Sequence, residues 1–346
     1  MAAGILATIG KTPMVELTRI FPGSRFRLFA KLEAFNPGGS VKDRPALSIL
    51  EHGLETGAIG PDTVIIESSS GNMGIGLAQA CRYFGLRFIC VVDPRILPAN
   101  LRMLRAYGAE IDYVAEPDPA TGDFLQARLD RIQALLPTIG HSLWTNQYAS
   151  LANAQSHYWT TIREVVDDLE GRFDFLFVAV STCGTIRGCA EYLREVGHPA
   201  KVVAVDAVGS VIFGGKRGKR LIPGLGAGIR PQLCEPALID ERVEVTDVDC
   251  IVGCRLLVQR EAILAGGSSG GTLMAVDKMR DRIPEGSTVV AIFPDRGARY
   301  LETVFDDGWV EQNCGAIAGA WRPMAAGAGA GAREEPAPVL SLALAR

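Results

Sequence analysis

The sequence has no apolar run long enough for a membrane span. Stretches such as 175–180 fall far short of the roughly 18 residues that crossing a bilayer requires. Histidine is scarce: the four residues His52, His141, His157 and His198 form no HExxH or other metal-ligand spacing. The eight cysteines include no CxxC pair and are too scattered for a disulfide framework, which predicts small, reduced core residues. There is no cationic excess, since 35 Lys and Arg stand against 39 Asp and Glu for a net charge of −4. A chain so charged has little with which to neutralise a polynucleotide. Residues 1–12 lack the basic region, apolar stretch and cleavage site of a secretory signal, and a cytoplasmic location is expected.

What is present is a large hydrophobic share, 48% of 346 residues, enough for a sizeable core and for two domains. From residue 63 onward, β-branched runs alternate with helical spacing. Strands are expected at 63–67, 87–93, 110–115, 173–180, 201–206 and 287–293. Helices are expected at 73–84, 99–107, 124–136, 152–169 and 186–196. This alternation predicts βαβ units, hence an α/β protein with mostly parallel sheets. The Gly- and Pro-rich stretch 210–236 reads as one long irregular segment, uncommon unless it has a function. The division expected is a smaller α/β domain at 41–146 and a larger one from 1–40 with 147–314. The Ala/Gly-rich residues 315–346 read as a disordered tail, with the apolar 339–345 able to form a docked turn.

Five segments carry chemistry. In Asn36-Pro-Gly-Gly-Ser-Val-Lys42-Asp-Arg44 a Gly-rich turn opens onto a helix with a lysine in its first turn. The positive end of a helix disfavours a second cation there and favours the neutral amine that makes Schiff bases. Glu67-Ser-Ser-Ser-Gly-Asn72-Met-Gly-Ile-Gly76 lies between a strand and a helix, where open α/β sheets bind ligands. Its GxxGxG spacing is not the GxGxxG of dinucleotide binders. Ser181-Thr-Cys-Gly-Thr185 also follows a strand and begins a helix, a cradle for one phosphate but without the lysine of a P-loop. Gly224-Leu-Gly-Ala-Gly228 lets backbone approach a ligand, and Gly266-Gly-Ser-Ser-Gly-Gly271 precedes a helix.

In this order the five segments resemble the cysteine synthase/cystathionine β-synthase family, the fold-type II enzymes dependent on pyridoxal phosphate. The resemblance runs from Ile9-Gly-Lys-Thr-Pro13 to Pro294-Asp-Arg-Gly-Ala-Arg-Tyr300. It implies two three-layer α/β domains of the tryptophan synthase β-subunit type, and a homodimer. It implies that Lys42 is the Schiff-base lysine and the base for the α-proton, and that Asn72 bonds the cofactor's ring oxygen. Ser181, Thr182, Cys183, Gly184 and Thr185 would hold its phosphate. Ser268 would face the pyridine nitrogen. A serine there leaves the ring neutral and a weaker electron sink, which suits loss of a β-leaving group to an aminoacrylate and addition of a nucleophile. Ser69, Ser70 and Met73 would close on the substrate carboxylate, with Gln147 nearby. Cys183 reads as a neutral small residue, because a thiolate beside the cofactor phosphate is unfavourable.

Sulfhydrylases of the family commonly show Thr-Ser-Gly-Asn-Thr, a glycine at both the first and third positions of the phosphate loop, and Pro-Asp-Ser-Gly. Here Ser69, Met73, Ser181, Cys183 and Arg296 stand at the differing positions. These departures resemble the branch that joins O-phospho-L-serine to L-glutamate, giving N-(2-amino-2-carboxyethyl)-L-glutamate, a precursor of 2,3-diaminopropionate in siderophore and antibiotic pathways. Such substrates need extra cations. Arg128 is the candidate for the leaving phosphate, with Tyr148 and Ser181 for carboxylate or amine contacts and Arg296 a weaker one. The rival is a cysteine synthase using O-acetylserine or O-phosphoserine. A catalytically idle binding subunit is disfavoured by the intact Lys42, Asn72 and Ser268.

Overall fold

A computed structural model describes residues 4–120 and 122–317. The expected tail, including 339–345, lies outside the described residues apart from 315–317. In chain order the elements are β1 (Met14–Glu16), β2 (Arg27–Leu32), α1 (Asp43–Glu55), β3 (Val64–Ser68), α2 (Asn72–Phe84), β4 (Arg87–Val92), α3 (Pro98–Ala106), β5 (Glu110–Tyr113), α4 (Phe124–Leu135) and β6 (Ser142–Trp144). There follow α5 (Leu151–Ser156), a π-helical turn (His157–Thr161), α6 (Ile162–Asp168), β7 (Phe175–Ala179), α7 (Gly184–Glu195), β8 (Lys201–Ala207), β9 (Glu241–Val245), α8 (Asp247–Glu261), α9 (Gly267–Met279), β10 (Thr288–Phe293) and α10 (Asp307–Cys314).

These strands form two sheets flanked by helices, so the mixed α/β expectation holds. One sheet has the order β5-β4-β3-β6 and is parallel throughout. The other has the order β1-β2-β10-β7-β8-β9 and is parallel except where β1 pairs with β2. Parallel strands covered on both faces should be apolar throughout rather than alternating. Strand β3 and the central β7 obey this, with Val64, Ile65, Ile66, Phe175, Leu176 and Phe177 all buried.

The sheets are arranged so that the carboxyl ends of β3, β7 and β10 deliver Ser69, Ser181 and Asp295 to one cavity of about 820 Å³. That is where open α/β sheets place ligands. Beneath it, Arg44 on α1 forms a bidentate pair with Glu33, its Nε 2.7 Å from Oε2 and its Nη2 2.8 Å from Oε1. The same guanidinium reaches Glu164 on α6 at 2.6 Å, and Lys31 on β2 reaches Glu164 at 3.0 Å. This buried network ties the start of α1, two residues after Lys42, to the six-stranded sheet. Between β8 and β9 there is no strand or α-helix from 208 to 240, in agreement with the irregular reading.

Candidate active site

Lys42 immediately precedes α1, at its N-cap rather than within its first turn as the sequence suggests. It is half-buried and lines the cavity. Loss of solvent lowers its amine to about 8, against the opposing influence of Cys183 and Asp295. A lysine near 8 is partly neutral at physiological pH and able to act as a nucleophile or base.

Strand β3 ends in a loop whose polar groups are strongly oriented. The Ser69 hydroxyl accepts hydrogen bonds from Gly74 N at 3.0 Å and Gly71 N at 3.3 Å, satisfying one of the free N–H groups in the first turn of α2. Buried Glu67 accepts from Thr145 Oγ1 at 2.6 Å, Gln147 N at 3.1 Å and Ser68 N at 2.8 Å. The Gln147 side-chain amide donates to Ser68 O at 3.2 Å, so Gln147 is locked to this loop. Asn72 Nδ2 donates to Asp295 Oδ2 at 2.7 Å, and Asn72 Oδ1 accepts from Arg299. Tyr300 donates to the same Asp295 oxygen at 2.5 Å.

After β7 the chain turns through Ser181, Thr182 and Cys183 into α7. Cys183 is the N-cap in a left-handed conformation, with φ 65°. The Thr185 hydroxyl lies 3.2 Å from His157 Nε2, whose Nδ1 is 2.9 Å from Thr161 Oγ1. Burial keeps His157 neutral, its pKa well below the usual value, with Lys42 and Arg44 adding to the effect. The pKa of the free Cys183 thiol is raised by a hydrogen bond with Cys234 and by burial, as expected of a neutral residue. Free N–H groups, two threonine hydroxyls and the positive end of α7 make this turn an anion cradle.

The cavity gathers Lys42, Asn72, Ser181, Thr182, Cys183, Thr185 and Ser268. It also takes in Ser69, Ser70, Met73, Arg128, Gln147 and Tyr148. Gly184 does not line it; a side chain there would strike the Asn153 amide. Arg128 is held by Asp93, Nε to Oδ2 3.1 Å, and donates from Nη1 to Ser70 Oγ at 3.0 Å. Arg296 departs from expectation. It is exposed and donates to Ala34 O at 3.3 Å outside the cavity, whereas the preceding Asp295 is buried and lines it. Sequence reasoning also missed Asp295, Arg299, Asp123, Arg217 and Arg220. The run Lys216-Arg-Gly-Lys-Arg220 was a visible signal for the last two. The Gly-rich segment before α9 serves packing as well as binding: Gly270 abuts the Cys250 carbonyl and Gly253 abuts Gly270, so α8 and α9 meet backbone to backbone.

A family model described as pyridoxal-phosphate dependent enzyme matches residues 5–295. Among solved structures, a hydrogen sulfide-producing enzyme from Fusobacterium nucleatum is 31% identical, with a TM-score of 0.82 over 87% of this chain and 100% of its own. An O-acetylserine dependent cystathionine beta-synthase from Helicobacter pylori is 31% identical, with a TM-score of 0.82 over 88% of this chain and 98% of its own. O-ureido-L-serine synthase is 32% identical, with a TM-score of 0.80 over 88% and 98%. With a match over most of the chain and this cavity at the strand ends, the chain belongs to the pyridoxal-phosphate dependent enzyme family.

Proposed function

We propose that this chain is a cytoplasmic, homodimeric enzyme joining O-phospho-L-serine to L-glutamate, with N-(2-amino-2-carboxyethyl)-L-glutamate and phosphate as products. The observation that carries the reading is Arg128, a guanidinium in the cavity wall fixed against the Ser70 hydroxyl. It suits an anionic leaving group better than a neutral acetate ester.

The residues fit pyridoxal phosphate. The anion cradle at the start of α7 suits its phosphate, and a lysine amine near 8 suits its aldehyde. Ser268, in the first turn of α9, offers a hydroxyl to the ring nitrogen. Asn72 uses one amide N–H on Asp295 and retains the other for the ring oxygen. When bound, the cofactor supplies an aldehyde for the donor's amine and a ring that accepts electrons from its Cα.

The chain's own residues do the rest. Ser69, Ser70 and Gln147 orient the donor carboxylate. Lys42 Nζ takes the α-proton, Arg128 draws off phosphate as the Cβ–O bond breaks, and Lys42 returns a proton after the glutamate nitrogen bonds Cβ. Residues 41–146 are read as a smaller mobile domain that excludes water during this sequence.

The test is a reaction of purified holoenzyme with O-phospho-L-serine, divided between L-glutamate and sulfide, with O-acetyl-L-serine as a parallel donor and products read by mass spectrometry. A glutamate adduct formed from phosphoserine supports the reading. Cysteine from sulfide with no glutamate adduct makes the protein a cysteine synthase instead.

A further inference from the structure

The irregular segment between β8 and β9 places two further guanidinium groups, Arg217 and Arg220, in the cavity wall, apart from Arg128. Two arginines of this segment behave differently. Arg217 is satisfied: its Nη1 pairs with Asp123 Oδ2 at 2.8 Å and its Nη2 donates to Gly228 O at 2.7 Å. Asp123 also caps α4, the helix that carries Arg128, so this ion pair fastens the segment to the facing wall. Arg220 is half-buried and makes one hydrogen bond, Nη1 to Leu225 O at 3.1 Å. Its Nε is buried without a partner, and among the described residues no carboxylate lies within ion-pairing distance of it.

The place Arg220 occupies depends on the neighbouring glycines. A Cβ at Gly226 would sit 3.1 Å from its Nη1, and one at Gly228 3.8 Å from its Nη2. Gly226 N donates to Val180 O at 2.7 Å, which holds the glycine loop against the strand leading to Ser181. Tyr148 lies within the electrostatic influence of both Arg128 and Arg220. Asp206, Tyr148, Asp123 and Asp247 are the groups whose charge reaches Arg220, and burial acts against its charged form. A guanidinium so placed, with donors unused, is matched by a planar carboxylate arriving in the cavity.

We propose that Arg220 binds the side-chain carboxylate of the incoming amino acid and thereby selects a dicarboxylic over a monocarboxylic nucleophile, leaving Arg128 to the donor's phosphate. The assignment rests on the amino-acid-joining reaction above. Sulfide, small and lacking a planar pair of acceptors, gains nothing from such a fork.

The experiment uses holoenzyme with saturating O-phospho-L-serine and compares the unmodified protein, Arg220→Gln and Arg220→Lys with L-glutamate and L-glutamine as nucleophiles. Loss of one charge-assisted contact corresponds to about 30-fold in KM for glutamate. The Gln variant is expected to show this rise with kcat changed less than about threefold, and its glutamate-to-glutamine preference collapses toward one. The Lys variant should recover part of that preference. The phosphate burst from O-phospho-L-serine without nucleophile reports the donor side and the folded cofactor site. A glutamate preference unchanged in Arg220→Gln overturns the assignment alone. Loss of the burst in both variants overturns it too, by placing Arg220 on the donor side. If the unmodified protein forms an adduct with neither amino acid while turning sulfide into cysteine, the parent reaction falls and Arg220 with it.

Discussion

Arg128 Nη1 donates to Ser70 Oγ at 3.0 Å, joining helix α4 to the serine loop at the end of β3. The same guanidinium is braced by Asp93. A cation fixed by a carboxylate on one side and a hydroxyl on the other is already aimed, so little side-chain entropy is lost when an anion arrives. Arg128→Ala is expected to lower kcat/KM for O-phospho-L-serine by about 100-fold, and for O-acetyl-L-serine by less than about tenfold. Steady-state kinetics with both donors checks this. Equal losses would assign Arg128 to scaffolding.

Lys42 carries the second expectation. Its amine is held near 8 chiefly by burial, and it is the lysine brought to the cavity by the Gly-rich turn before α1. Borohydride treatment of the holoprotein should add the mass of reduced cofactor to the peptide containing Lys42. Lys42→Ala should lack both this adduct and the yellow colour, with turnover falling by about 10³-fold or more. Retention of the adduct in the variant would mean that another lysine holds the cofactor.

The third concerns the buried pairs beneath the site. Burial by itself would raise the Glu164 carboxyl, but hydrogen bonds and charge from Arg44, with the charge of Lys31, overcome this and hold it at about 2. A carboxylate whose folded pKa is depressed contributes stability above its unfolded value near 4.5, and that contribution is lost as pH falls toward 2. Denaturant midpoints should therefore decline from pH 5 downward more steeply in the native protein than in Glu164→Gln. At pH 7 the variant should be less stable by about 3 kcal/mol, since Arg44 and Lys31 lose a shared partner. Parallel stability curves for the two proteins from pH 5 to pH 3 would contradict the assignment.

Much of the fold was legible because parallel strands announce themselves as short apolar runs. The expected 87–93 and 201–206 correspond to Arg87–Val92 and Lys201–Ala207. The three-residue strands Met14–Glu16 and Ser142–Trp144 are too short to show any period. The helix expected at 152–169 is interrupted by the π turn His157–Thr161, whose first residue, His157, contacts Thr161 and Thr185. Helical periodicity carries no mark of one widened turn. In the cavity, the motif glycines, serines and Lys42 were readable from local pattern. Asp295 was not, and the basic run at 216–220 marks Arg220 without showing what it faces, since both roles depend on where distant loops fold back. Asp295 meets Asn72 across 223 positions of sequence.

The last expectation turns on Cys183, which stands where sulfhydrylase loops commonly have glycine. Its φ of 65° and ψ of 2° put a side-chain-bearing residue in left-handed backbone. That conformation costs an L-residue about 1–2 kcal/mol, whereas glycine adopts it freely. Glycine also loses more unfolded-state entropy on folding, about 0.4–1 kcal/mol relative to alanine. Comparing Cys183→Gly with Cys183→Ala removes the thiol from both and isolates the backbone. The glycine variant should be the more stable by about 0.5–1 kcal/mol, the reverse of the order in an ordinary helix interior. Chemical denaturation of the two variants measures the difference. An alanine variant that is equal or superior would mean that the loop relaxes out of the left-handed turn once the thiol is gone.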